Sequence, residues 1–183
     1  MQQEGSLLDS ASEKILSAIV ERDVIILEDP YVWMLGSKPP VWAVHMVLRG
    51  IATNVAIFAR NTLKCREALR DCLKLLRNRA TIVRNCNEAI EFMLRDGEVS
   101  CVIQAFPATK RRTVTQMADV YICYTDPDNA QHASFMAQTI IPVMQLTNVK
   151  TLFYVPKSRI SERVFSDGFE KIVLVIDDDK ENT

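Results

Sequence analysis

Glycine is scarce in this chain, and so is every spacing of it that cradles a phosphate. Five glycines in 183 residues show neither G-x-G-x-x-G nor G-x-x-x-x-G-K, so no recognised loop is in place to wrap a nucleotide. Histidine is limited to His45 and His132, each isolated on a helical pattern without a paired Cys or His, which supplies no zinc ligand set. The five cysteines, Cys65, Cys72, Cys86, Cys101 and Cys123, form no C-x-x-C pair. Each sits in a run that reads as helix or strand, the usage of a reduced cytosolic or nuclear protein. No N-terminal stretch joins a basic region to an apolar core, and no apolar run reaches the roughly 18 residues needed to span a bilayer. Net charge is −1 with a pI of about 6.1, so no global basic field exists and any nucleic-acid contact must come from a local patch. With no phosphate loop, nucleophile–base pair or metal cluster, the chain is expected to be non-catalytic, with no cofactor, metal, membrane or small-molecule substrate.

What is present is a core. Hydrophobic residues make up 48% of the chain, enough for one α/β domain of ordinary size. Ser10-Ala11-Ser12-Glu13 offers a capping start, followed by a helical stripe of Ile15, Leu16, Ile19 and Val20. Val24 to Leu27 is a short apolar strand, and Tyr31 to Pro40 reads as a loop. Helical spacing from Val41 takes in Ala43, Val44, Val47, Leu48, Ile51 and Val55, and the next helix places Cys65, Leu69, Cys72, Leu73 and Leu76 inward. Its other face carries Lys64, Arg66, Arg70, Lys74 and Arg77 and is strongly basic.

The stretch Arg79 to Ala89, RATIVRNCNEA, reads as a strand entering an Asn-rich turn, with Asn87 capping a helix to Asp96 and Glu88 in its first turn. Asn85 suits a left-handed backbone. Strands follow at Val99 to Phe106, Val120 to Tyr124, Val149 to Val155 and Lys171 to Ile176. Between them lie a polar insertion with Lys110-Arg111-Arg112, a helix started by Asp126 and Asp128, and a short helix from Ser158. The alternation predicts a three-layer α-β-α sandwich with a central mixed sheet of four to five strands and an N-terminal helical extension. The boundaries are 1–60 for the extension, 61–177 for the main domain and 178–183 for an acidic tail. Capping accounts for Asn87 and Glu88; the alternative is that they hydrogen-bond unstacked bases.

Asn85-Cys86-Asn87-Glu88-Ala89, Thr125-Asp126-Pro127, Ile141-Pro142-Val143-Met144, Asn148 to Pro156 and Ser158 to Val175 together resemble, in that order, the motifs of the kink-turn RNA-binding superfamily of ribosomal and small nucleolar ribonucleoprotein proteins. The likeness covers roughly Leu63 to Ile176 and is nearest to the ribonuclease P/MRP type, through Asp29-Pro30-Tyr31 and Arg159 to Arg163. Three departures stand out: Asn85 for the family's glycine, Glu91 for its lysine, and the insertion Pro107 to Ala118. The resemblance implies an RNA-binding ribonucleoprotein subunit in nucleus or nucleolus, serving tRNA or rRNA processing. Its partners would be structured RNA and other subunits, contacted through Arg84, Asn85, Asn87, Glu88, Lys110, Arg111, Arg112, Arg159, Ser161 and Arg163. The alternative on the same fold is a protein-interaction adaptor of the Gadd kind.

Overall fold

The computed structural model describes residues 10–21, 24–29, 38–94, 97–107, 118–124, 138, 150–156 and 171–175. The first helix, α1 (Ser10–Glu21), buries Ile15, Leu16 and Ile19 while Val20 stays exposed. Strand β1 (Val24–Asp29) follows, then α2 (Lys38–Leu48), whose first turn contains Pro39 and Pro40. Proline is tolerated there because first-turn amides have no intrahelical acceptor. Trp42, Ala43, Val44, Met46 and Val47 of α2 are all buried. A helix apolar on so many sides lies between other elements, and α2 packs on α1, on α3 (Thr62–Leu76) and on the sheet. It ends at Gly50, with φ of 73°, where the Gly50 amide donates to the Val47 carbonyl at 3.0 Å and the Ile51 amide to Met46 at 2.9 Å. That pair of bonds needs a left-handed residue, which only glycine adopts freely.

The segment expected as an N-terminal extension contributes two strands to the same sheet. Besides β1 and β2 (Asn54–Ala59), the sheet holds β3 (Ala80–Asn85), β4 (Ala89–Leu94), β5 (Ser100–Pro107), β6 (Val120–Tyr124), β7 (Lys150–Pro156) and β8 (Lys171–Val175). The order is β3-β4-β5-β2-β6-β7-β1-β8, eight strands among the described residues. From β5 to β8 all neighbours are parallel, while β4 runs antiparallel to both β3 and β5. The α/β class and the mixed sheet are as expected, and Ile82, Val102, Ile122, Phe153 and Val173 all lie in strands. The sheet is wider than four or five strands because three stretches join it. The Val24 strand is one, and two more read as helix by spacing.

The first of those two is Asn54–Ala59, which the helical pattern from Val41 absorbs in the sequence. Its five last residues are all buried, the signature of a central parallel strand covered on both faces. The second is β4, expected as a helix from Asn87 to Asp96. Here Ile90 and Phe92 are fully buried and Glu91 and Met93 only partly, a period of two that outranks the Ile90, Met93, Leu94 spacing. Without that helix, Asn87 caps nothing.

The three helices share one face with Val55, Ile57, Ile90, Phe92, Ile103, Val120 and Ile122 in a single apolar cluster. Side chains of opposite parity, Ala56, Phe58, Tyr121 and Cys123, are buried on the other face. There Phe58 meets Tyr121 edge-on at 5.5 Å between centroids. Burial of both faces is what a layered sandwich requires. The helices expected from Asp128 and from Ser158 lie outside the described residues.

Candidate functional site

The predicted RNA corner is the tip of the β3–β4 hairpin. The Cys86 amide donates to the Ala89 carbonyl at 3.0 Å, closing a turn whose two central residues are Asn87 and Glu88. Arg84, Asn85, Cys86, Asn87 and Glu88 are all exposed. Glu91, the acid in place of the resemblance's lysine, faces Arg84 across the hairpin at 3.7 Å, so its charge is compensated locally. Lys110, Arg111, Arg112, Arg159, Ser161 and Arg163 lie outside the described residues. The structure therefore brings together four of the expected residues, Arg84, Asn85, Asn87 and Glu88, on an outer hairpin remote in strand order from the sheet's centre.

A different place is marked by topology. Leaving β1, the chain passes through α2 to β2 on one side, whereas the chain leaving β7 arrives at β8 on the other side of β1. In open parallel sheets such a switch opens a crevice at the carboxyl ends of the strands, where ligands bind. Eight residues after β1 begin at Pro30 and end at Ser37, and Lys38 is the first residue of α2. Strand, glycine-containing connection, lysine and helix follow in the order of a phosphate loop. Signature spacing passes over this stretch, because Gly36-Ser37-Lys38 separates glycine from lysine by one residue and no earlier glycine stands at the required distance. The order of the strands around β1, invisible in the sequence, is the signal that finds it.

Asn61 at the end of β2 makes a second helix start on the same edge, its side chain accepting from the Lys64 amide at 2.9 Å. At the opposite edge, Asp119 ties two parallel strands together. Its Oδ2 accepts from the Thr53 amide at 2.9 Å, the Thr53 hydroxyl at 3.0 Å and the Asn54 amide at 3.1 Å. On the helical face, the Arg49 guanidinium donates to both Glu13 oxygens at 2.6 and 2.9 Å and holds that carboxyl below its usual range. The Trp42 indole donates to the Ser12 hydroxyl at 2.9 Å. Among the described residues no cluster of His, Cys, Asp and Glu could hold a metal, and no helix is long and apolar enough to cross a membrane.

No protein-family model and no curated protein matches the sequence. Solved structures do match. The large terminase ATPase domain of Thermus phage P74-26, in a mutant form, superposes with a TM-score of 0.52 at 11% identity, over 81% of this chain and 67% of that one. The large terminase of a thermophilic bacteriophage, in complex with ADP, gives 0.59 at 8% identity, over 92% of this chain. A second crystal form of that terminase gives 0.58 at 10% identity, over 91% of this chain. In fold, the chain is similar to phage large terminases. It spans less than half the length of the thermophilic phage's terminase, 45% in each of these two forms.

These likenesses overturn the kink-turn resemblance. Its motifs are short turn and helix-start sequences that any α/β chain uses, and of them only residues 85–89, Lys150–Pro156 and Lys171–Val175 fall among the described residues, in the β3–β4 hairpin, β7 and β8. The ribonucleoprotein function falls with it, along with tRNA and rRNA processing, structured RNA and its subunits as partners, the Gadd-like alternative, and the nucleolar location. The expectation of a non-catalytic chain is corrected too, since a fold neighbour is an ATPase domain.

A P-loop holds Mg-nucleotide with a lysine and backbone amides on the phosphates, and with the Ser or Thr hydroxyl after the lysine and an acid at a strand end on the metal. Lys38 fits the first requirement by position. Asp126, two residues beyond β6, fits the acid by position in the sequence. The hydroxyl has no counterpart, because Pro39 follows Lys38, and both Pro39 and Pro40 are buried and lack an amide N–H. By position Lys38 and Asp126 match two of the four requirements, and the hydroxyl that completes the usual metal shell is missing.

Proposed function

We propose that the chain is a nucleotide-binding domain of the large-terminase ATPase type, acting within a nucleic-acid-packaging machine. The observation that carries this reading is the β1–α2 unit at the topological switch of the sheet, with Lys38 opening the helix. One of the terminase neighbours is described in complex with ADP, which makes an adenine nucleotide the ligand to try first. Lys38 supplies the point charge for the β- or γ-phosphate, and the dipole of α2 adds only its field, since Pro39 and Pro40 offer no amide N–H. The test is titration of a fluorescent ADP analogue into the protein, with ATP turnover measured alongside. Saturable binding that raises the thermal midpoint is expected, weakened about tenfold or more by Lys38→Ala, as for loss of one charge-assisted contact. A folded protein that binds neither ADP nor ATP would overturn the proposal.

A further inference from the structure

The outer surface of α3 gathers four cations in one row, the last of them its C-cap Arg77. At about 100° per residue, Arg66, Arg70, Lys74 and Arg77 fall within an arc of about 80°, and Glu67, Asp71 and Lys64 occupy the other flank. All four cations of the arc are exposed. Lys64 is paired with Glu67 at 2.8 Å, and Lys74 reaches Asp71 at 4.0 Å. Arg66, Arg70 and Arg77 form no ion pair among the described residues.

Such a row is not the arrangement that favours a solvated helix. Arg66 and Arg70, then Arg70 and Lys74, are like charges at i,i+4, a spacing that destabilises where opposite charges would stabilise. The buried side of the same helix, Cys65, Ala68, Leu69, Cys72 and Leu76, fixes the row's direction outward from the sheet. The whole protein is slightly acidic, so the row is a local feature and not a sample of a basic surface. It extends over roughly 16 Å of helix.

We infer that this row is a docking surface for the phosphate backbone of duplex DNA. Regularly spaced cations neutralise a regular array of phosphates without reading sequence. The helix carries no aromatic residue, so it offers no platform on which an unstacked base of a single strand would lie. A protein partner would want aromatic or apolar anchors at the centre of the patch, and Leu63 is the one large exposed hydrophobic on α3. The row stands apart from the nucleotide site, since none of its residues belongs to β1 or α2.

The experiment is fluorescence anisotropy of the full chain with a mixed-sequence DNA duplex across a salt series, without nucleotide. The variant R66Q/R70Q/K74Q/R77Q is expected to lose at least tenfold in affinity at low salt, and the log–log salt slope is expected to shrink by up to about 3.6 units, about 0.9 for each of the four cations. The charge-keeping variant R66K/R70K/R77K should retain most of the binding, and the flank variant E67Q/D71N should bind more tightly. Because no nucleotide is present, failure here is read separately from failure of the nucleotide reading. An unchanged slope in the Gln variant with an unchanged thermal midpoint would overturn the inference. So would tighter binding of a single strand, of duplex RNA, or of poly-glutamate than of the DNA duplex.

Discussion

His45 is buried in α2 at 9% exposure, and its Nε2 has no hydrogen-bond partner among the described residues. Burial first, and then the charges of Arg79 and Arg49, push its pKa below the ordinary 6.5, with only Glu13 pulling the other way. The folded chain therefore refuses a proton that the unfolded chain accepts once pH falls through 6.5. Stability rises with pH wherever the unfolded state binds more protons, so this residue contributes a loss on acidification below about pH 6.5 and nothing above it. Glu13 adds a separate loss at lower pH, since its depressed pKa is felt only as pH falls through 4.5 and beneath. Urea midpoints of the native protein are expected to drop as pH falls below about 6.5, and His45→Gln should flatten that part of the profile while leaving the loss that begins near 4.5. A native protein equally stable as pH falls below 6.5 would show that the folded imidazole takes up its proton as readily as the unfolded one.

At the scale of elements, the best-defined joint is the one Asp119 makes. β2 and β6 are parallel, so no hairpin fixes their register, and a single carboxylate gathers three donors from the entry of β2. The Asp119 amide donates to the Asn54 carbonyl at 2.8 Å, which locks the pair from the other side. Asp119→Ala is expected to cost about 1–3 kcal/mol in chemical denaturation, the range for losing charge-assisted acceptors of otherwise protein-bound amides. A loss below a few tenths would mean water replaces the carboxylate freely. Strands with this kind of partner are readable in the sequence where they are short, apolar and bounded by polar turns, as Val120–Tyr124 and Lys150–Pro156 are. Helix α3 is readable because its 3.6 period is clean. β4 is not, since Ile90, Phe92, Met93 and Leu94 satisfy both periods over so few residues. β2 is not, because a strand buried on both faces shows no alternation at all. The Asn-rich turn is visible as a turn; its being a hairpin tip follows from which period wins.

At the scale of the whole molecule, the switch at β1 depends on which strand sits beside which, a property no local pattern encodes. That is why Gly36-Ser37-Lys38 is silent in the sequence while Asn87 and Glu88, in a more familiar-looking motif, stand out. The same lysine and the residue after it make a sharp prediction about metal. Magnesium at a P-loop is anchored by the hydroxyl after the lysine, and here Pro39 occupies that position with no hydroxyl and no amide. Fluorescent ADP should therefore bind the native chain about equally in magnesium and in excess chelator. Pro39→Thr restores both missing groups at a first-turn position where threonine is also accepted, so the fold should persist by thermal denaturation. In that variant magnesium is expected to tighten ADP several-fold, and chelator should abolish the gain. If instead the native chain loses ADP on chelation, the metal is held without the helix hydroxyl, and Asp126→Asn, which removes the acid placed after β6, becomes the variant that must reproduce the loss.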